Sequence, residues 1–167
     1  LAAYPKSEMR GSYLYAIGTM HRQIAERSED PAVKAREEQA AKKAGVTVRP
    51  GDVVLIRTGW MRLWPDQRKY YSVQTGQPGI DVEAARWLTE QGAACLGSDN
   101  FAVEVTPTAN NAHPVHIHCL VEKGVHLLEV ANLEALSRSE IYAFSLIMVP
   151  MKIRGGTASP IRPLAVV

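Results

Sequence analysis

The chain carries two cysteines in 167 residues, Cys95 and Cys119. Two thiols cannot build the disulfide framework of a small secreted domain. They are expected as small buried apolar residues in a reducing compartment, here the cytoplasm. A long hydrophobic run is also missing. The longest apolar stretch, 141–151, contains a tyrosine, a serine and a proline and is far too short to span a bilayer. No charge of one sign dominates: the net charge is +2 and the basic residues are dispersed. Without a basic stripe interleaved with aromatics, nucleic acid is a poor partner. Secretory signal, internal repeat and low-complexity segment are all lacking. The chain opens on Leu1 rather than Met, as a processed or truncated piece would.

What is present is an ordinary globular balance, long enough for one domain with a sizeable core. Two unequal parts are expected. Residues 1–45 form an N-terminal segment of uncertain structure. It contains one surface helix that starts at Asp30-Pro31 and stops at Gly45, with a weak, alanine-built apolar face. From 46 to 167 strand and helix alternate. A buried strand is expected over 52–59, then an aromatic loop over 60–80. Asp81 caps a helix that ends at Gly92, and a short strand follows in AACLGSD. After a loop over 100–112, Pro114 starts a short helix that ends near Gly124. A strand over 125–130, a helical turn in LEALSR, a long strand over 141–153 and a loop-rich C-terminus complete the pattern. This is an α/β domain with a mostly parallel or mixed sheet.

The chemistry is concentrated between Asn111 and Leu136, which hold four of the five histidines. His113, His116 and His118 fall within six positions, and Glu129 follows thirteen residues after His116. Imidazole and carboxylate together are the ligand set of zinc or manganese. His116 falls in the first turn of the helix begun by Pro114, where the helix dipole disfavours protonation. Glu129 ends a strand, and sites in open α/β sheets gather at such strand ends. The plainer alternative makes His113 a helix cap that points outward, His118 a surface residue and Glu129 a solvated turn residue. His116 and His118 fall on different faces of the helix. His126, on a strand, and His21 read as structural. Trp60, Trp64, Tyr70 and Tyr71 lie in one long loop. They fit either an aromatic wall for a planar substrate or packing against the sheet or a subunit interface.

Five blocks carry a resemblance to a known family: PGDVVLIRTGWMRLW, PGIDVEAARWL, GSDNFAVEVTP, HPVHIHCLVEKGVHLLE and MKIRGGTASPIRPLAVV. In this order they resemble the second half of the metal-dependent cyclase/hydrolase family, which includes kynurenine formamidases and isatin hydrolases. The resemblance implies a swivelling β/β/α cyclase-like fold with a mixed sheet, incomplete in this chain. It implies hydrolysis of a small amide, lactam or N-formyl group, one or two divalent ions (manganese or zinc), and a homodimer or homotetramer. It places a metal-binding or water-handling role on His116 and Glu129; substrate binding is expected of Trp60 and Trp64 from their place in the aromatic loop. Asp99, Asn100 and Glu104 match a family block, SDNxxxE, and are read as site-proximal or structural, without a definite role. Arg57, Thr58 and Gly59 are implied beside the site, and Arg154 in a structural loop.

The family's main metal motif, His-x-Gly-Thr-His-x-Asp, does not occur in the chain. The nearest string, from Ala16 to Arg22, keeps only Gly18-Thr19 and is treated as coincidence. Either a preceding segment or a second polypeptide supplies that motif, or this is a non-catalytic member that binds a small ligand or completes a partner's site.

Overall fold

The computed structural model of the chain describes residues 12–13, 48–71 and 76–167. The helix expected from Asp30 and the string from Ala16 to Arg22, with His21, lie outside the described residues. Four parallel strands form the main sheet in the order β1-β2-β3-β4: Ser12–Tyr13, Val53–Ile56, Cys95–Ser98 and His126–Leu128. A separate antiparallel pair joins β5, Ser145–Ile147, to β6, Leu164–Val166. The result is an α/β fold with both parallel and antiparallel pairing, as expected.

The main sheet is apolar on both faces, which is why its strands read as continuous apolar runs rather than alternating ones. Val54, Ile56, Leu96 and Leu127 face one layer. Helix α2, Val82–Glu90, covers them with Ala84, Ala85 and Leu88. Val115 and Cys119 pack into the same layer. Leu55, Cys95 and Leu128 face the other layer, against Ala131, Leu133 and Phe144. Among the described residues no helix is long and apolar enough to cross a membrane.

Local chemistry sets the helix starts. The Asp81 side chain accepts from the Ala84 amide at 2.8 Å, which satisfies one of the free donors at the start of α2. Between β2 and α2, the stretch expected as a loop contains a 3-10 turn, Trp60–Leu63, and a short helix α1, Gln67–Tyr70, capped by Asp66. Pro114 occupies the first position of α3, Pro114–His116, where its missing N–H costs nothing. α3 continues as a π-helical turn, Ile117–Lys123, and stops at left-handed Gly124. The turn directs His118 and Cys119 inward and leaves Ile117, Leu120 and Val121 exposed.

The C-terminal region departs from expectation. The long strand over 141–153 is reduced to Ser145–Ile147, because its partner strand is only three residues long. Pro160 and Pro163 withhold N–H donors upstream of that partner, so pairing begins only at Leu164. The expected helical turn in LEALSR is α4, Glu134–Arg138.

Candidate functional site

The site is built at the carboxyl ends of β3 and β4. The chain leaves β3 through Asp99 and Asn100, both fully buried. The Asn100 side-chain amide donates to the carbonyls of Pro78 at 2.6 Å and Glu104 at 3.1 Å. The Asn100 backbone carbonyl accepts from the Val130 amide at 2.9 Å. One residue therefore ties the segment carrying Glu104 to the segment carrying Glu129. Its Oδ1 is buried without a hydrogen-bond partner among the described residues.

Residues 77–80 clamp the Glu104 segment from the other side. Gln77 and Thr106 exchange backbone hydrogen bonds, Ile80 donates to Val103, and Val105 donates to Ile80. Gly79 lies so close that a Cβ there would meet the Val103 and Glu104 carbonyl oxygens at 2.5 Å. Val103 and Val130 have φ of 59° and 56°. A β-branched residue is rarely left-handed. Each of these two valines adjoins a site carboxylate, and strained backbone of this kind persists where surrounding contacts over-determine it.

Glu104 is 0% exposed and still has partners for both carboxylate oxygens. Its Oε2 accepts from the Val115 amide at 3.2 Å. Its Oε1 lies 2.5 Å from His116 Nδ1 and 3.4 Å from His113 Nδ1. On the other side of the His116 ring, Nε2 faces Glu129 Oε1 at 3.2 Å. Glu129 directly follows β4, at the strand end expected for it. His116 is thus held between two carboxylates. A neutral ring donating through Nδ1 would turn a lone pair toward Glu129. The approach of Nε2 to Oε1 therefore calls for a positive charge between them, either a proton or a metal ion.

The expectation that the helix start keeps His116 neutral is corrected. Its pKa is raised, first by the hydrogen bond to Glu129 and then by that to Glu104, against the opposing effect of burial. Two charged neighbours outweigh the dipole of one short turn. His113 is also corrected. It is exposed as expected but makes no side-chain cap, and its left-handed backbone, φ 47°, sets its ring 5.5 Å from the His116 ring. Glu104, His113 and His116 offer ligand atoms within 4.8 Å of one another, so they could hold a metal ion. Sequence reasoning gave Glu104 no role. Its signal was an acidic residue inside an apolar run, FAVEV.

The remaining candidates are dispersed around this centre. His118 is buried, not on the surface, and bonds Thr89 and Glu122 at 2.9 Å each. His126 is exposed on β4. Trp60 is half-buried, and its indole N–H donates to the Tyr70 carbonyl at 2.9 Å. Trp64 is exposed and meets Tyr70 and Tyr71 edge-on, and Tyr71 in turn meets exposed Phe101. Sequence reasoning overlooked Phe101. Tyr70 is buried with its hydroxyl donating to the Asp99 carbonyl at 2.9 Å. Burial raises its pKa far above the usual range, and the charges of Asp99, Tyr71 and Glu129 add to this. Arg154 lies in an exposed turn.

Comparison with known proteins agrees with this architecture. An isatin hydrolase from Roseibium aggregatum is 28% identical over 120 residues, which cover 70% of this chain and 45% of that protein. The crystal structure of a novel cyclase superposes with a TM-score of 0.73 at 29% identity, over 93% of this chain and 52% of its own. A potential metal-dependent hydrolase with cyclase activity superposes with a TM-score of 0.55 at 23% identity, over 73% of this chain and 54% of its own. The chain thus spans about half the length of the relatives it matches. The family model named Cyclase matches residues 14–105, more than half of the chain, and reaches Glu104 but not His116 or Glu129. The chain belongs to the cyclase family.

Proposed function

We propose that this chain forms part of a metal-dependent hydrolase acting on a small amide, lactam or N-formyl substrate. The observation that carries the reading is the facing pair of His116 Nε2 and Glu129 Oε1, 3.2 Å apart at a strand end. That separation suits two ligands on one ion with bonds of about 2.1 Å. Both side chains are partly exposed, at 29% and 39%, so an ion can reach them. The isatin hydrolase relative supports the same class of chemistry.

His116 and Glu129 would hold a divalent ion, which lowers the pKa of water and polarises a carbonyl. Manganese and zinc both suit this donor set. Glu129 has a second carboxylate oxygen to orient the attacking water and to carry its proton toward the leaving nitrogen. Trp64, Tyr71 and Phe101 present exposed aromatic edges to a planar substrate, and Trp60 supports them through Tyr70. Two protein ligands hold a catalytic ion weakly. The reading therefore requires further ligands from elsewhere in the assembled protein, from a preceding segment or from a partner subunit.

The test is metal content and thermal stability of the full-length protein with Mn²⁺ and Zn²⁺, followed by hydrolysis of isatin and of an N-formyl arylamine. Bound metal, metal-dependent turnover and loss of both in Glu129→Gln are expected. A protein that binds metal but turns over neither substrate would favour the non-catalytic reading.

A further inference from the structure

We propose that Glu104 is a positioning residue rather than a metal ligand: it fixes the His116 ring with its proton on Nδ1, so that Nε2 is the nitrogen turned toward Glu129 and a cation. The inference rests on the metal-centre reading above and assigns a residue that reading leaves open.

Three observations support it. First, both Glu104 oxygens are already engaged, Oε1 by His116 Nδ1 at 2.5 Å and Oε2 by the Val115 amide at 3.2 Å. Both partners belong to one helical turn, so a single carboxylate locks the backbone and the ring together. Second, the side chain is 0% exposed, whereas His116 and Glu129 are 29% and 39% exposed. An ion shared by Glu104, His113 and His116 would have to break the 2.5 Å contact and reach a fully buried oxygen. An ion at Nε2 leaves both Glu104 contacts intact. Third, the backbone of Glu104 is itself braced. Asn100 donates to its carbonyl at 3.1 Å, and Gly79 presses against it too closely for any side chain. A carboxylate that orients a ligating histidine also makes the far nitrogen a better donor, and losing it typically weakens metal binding 10–100-fold.

Glu104→Gln tests the assignment, because an amide cannot accept from both partners. If its oxygen takes the Val115 amide, its NH₂ faces Nδ1 and forces the ring proton onto Nε2. ¹⁵N NMR of the metal-free full-length protein, at a pH where the ring is neutral, should show wild-type His116 protonated on Nδ1. The variant should show it protonated on Nε2. Calorimetric affinity for Mn²⁺ and Zn²⁺ should fall about 10–100-fold in the variant while circular dichroism is unchanged. A wild-type ring protonated on Nε2, or a variant affinity within about twofold of wild type, would overturn the assignment. If the variant does not fold, the wild-type tautomer decides alone. A wild-type protein that binds neither ion would overturn the metal-centre reading, and the tautomer would still decide what Glu104 does.

Discussion

Asp99 holds Thr58 twice: its Oδ1 accepts from both the Thr58 amide and the Thr58 hydroxyl, at 2.7 Å each. Its Oδ2 accepts from the Gly59 amide at 2.8 Å. A buried carboxylate thus ties the turn after β2 to the end of β3, next to the site. Hydrogen bonds to a charged group are worth about 1.5–3 kcal/mol each, and a buried partner left unmade costs more than the bond is worth. Asp99→Asn must point an NH₂ at one or two of these donors. It should lower unfolding stability by roughly 2–4 kcal/mol in a denaturant titration. A loss under about 0.5 kcal/mol would mean that the turn is held by other contacts.

Arg57 and Glu134 form a two-bond ion pair at 2.9 and 3.0 Å that links the same turn to α4. Arg57 keeps the Glu134 carboxyl below its ordinary range, mainly through the hydrogen bond. The sign follows from that direction. A carboxylate whose pKa is depressed on folding contributes stability above its unfolded pKa, and the contribution disappears as the pH falls through the folded value. Glu134→Gln should therefore cost about 1 kcal/mol at neutral pH. The gap to wild type should close once the wild-type carboxyl is also protonated. Unfolding curves between neutral pH and pH 3 measure this, and a gap that stays constant through the acid range would exclude the pair as its source.

The thiols give a simpler prediction. Cys95 and Cys119 are buried and free, and burial pushes their pKa up to about 12 and about 11. The thiolate is the reactive form. Alkylation by iodoacetamide at pH 8 should therefore be negligible in the folded protein and rapid in denaturant, as read by mass spectrometry. Labelling of either cysteine at the rate of a free thiol under native conditions would contradict its packing.

The sequence was most legible where structure is local. Asp81 caps its helix within three residues, Pro114 starts the next, and Glu129 ends β4 as a strand-end carboxylate should. Each of these follows from neighbours in the chain. The inner half of the site was not legible for the opposite reason. Glu104 meets His116 across twelve residues, through a segment that turns left-handed at Val103, Asn110, Asn111 and His113. No pattern of periodicity announces four such residues. The protonation of His116 was misjudged for the same cause. The helix start is visible in the sequence, but the closeness of Glu129 to Nε2, the larger effect, and of buried Glu104 to Nδ1 is not. β6 and its pairing with β5 were missed because their register is set across a loop of glycines and prolines.

Gly79 and Gly97 separate the framing of the site from the framing of the core. A Cβ at Gly97 would meet the Leu55 Cδ2 methyl at 2.6 Å and the Leu128 Cβ at 3.0 Å. Leu55 can rotate away at the cost of poorer packing. Gly97→Ala should therefore lose about 1–2 kcal/mol of stability and keep metal affinity within about threefold of wild type. A Cβ at Gly79 would meet only backbone, the carbonyls of Val103 and Glu104 at 2.5 Å. Backbone cannot rotate out of the way, so the Glu104 segment must shift as a whole. Such a shift moves the Glu104 carboxylate relative to the His116 ring that it orients. Gly79→Ala should therefore lose roughly tenfold or more in Mn²⁺ affinity, out of proportion to its loss of stability. Calorimetry and denaturant unfolding on the two variants read both quantities. Equal losses of affinity, scaling only with stability, would mean that Gly79 supports the fold without framing the site.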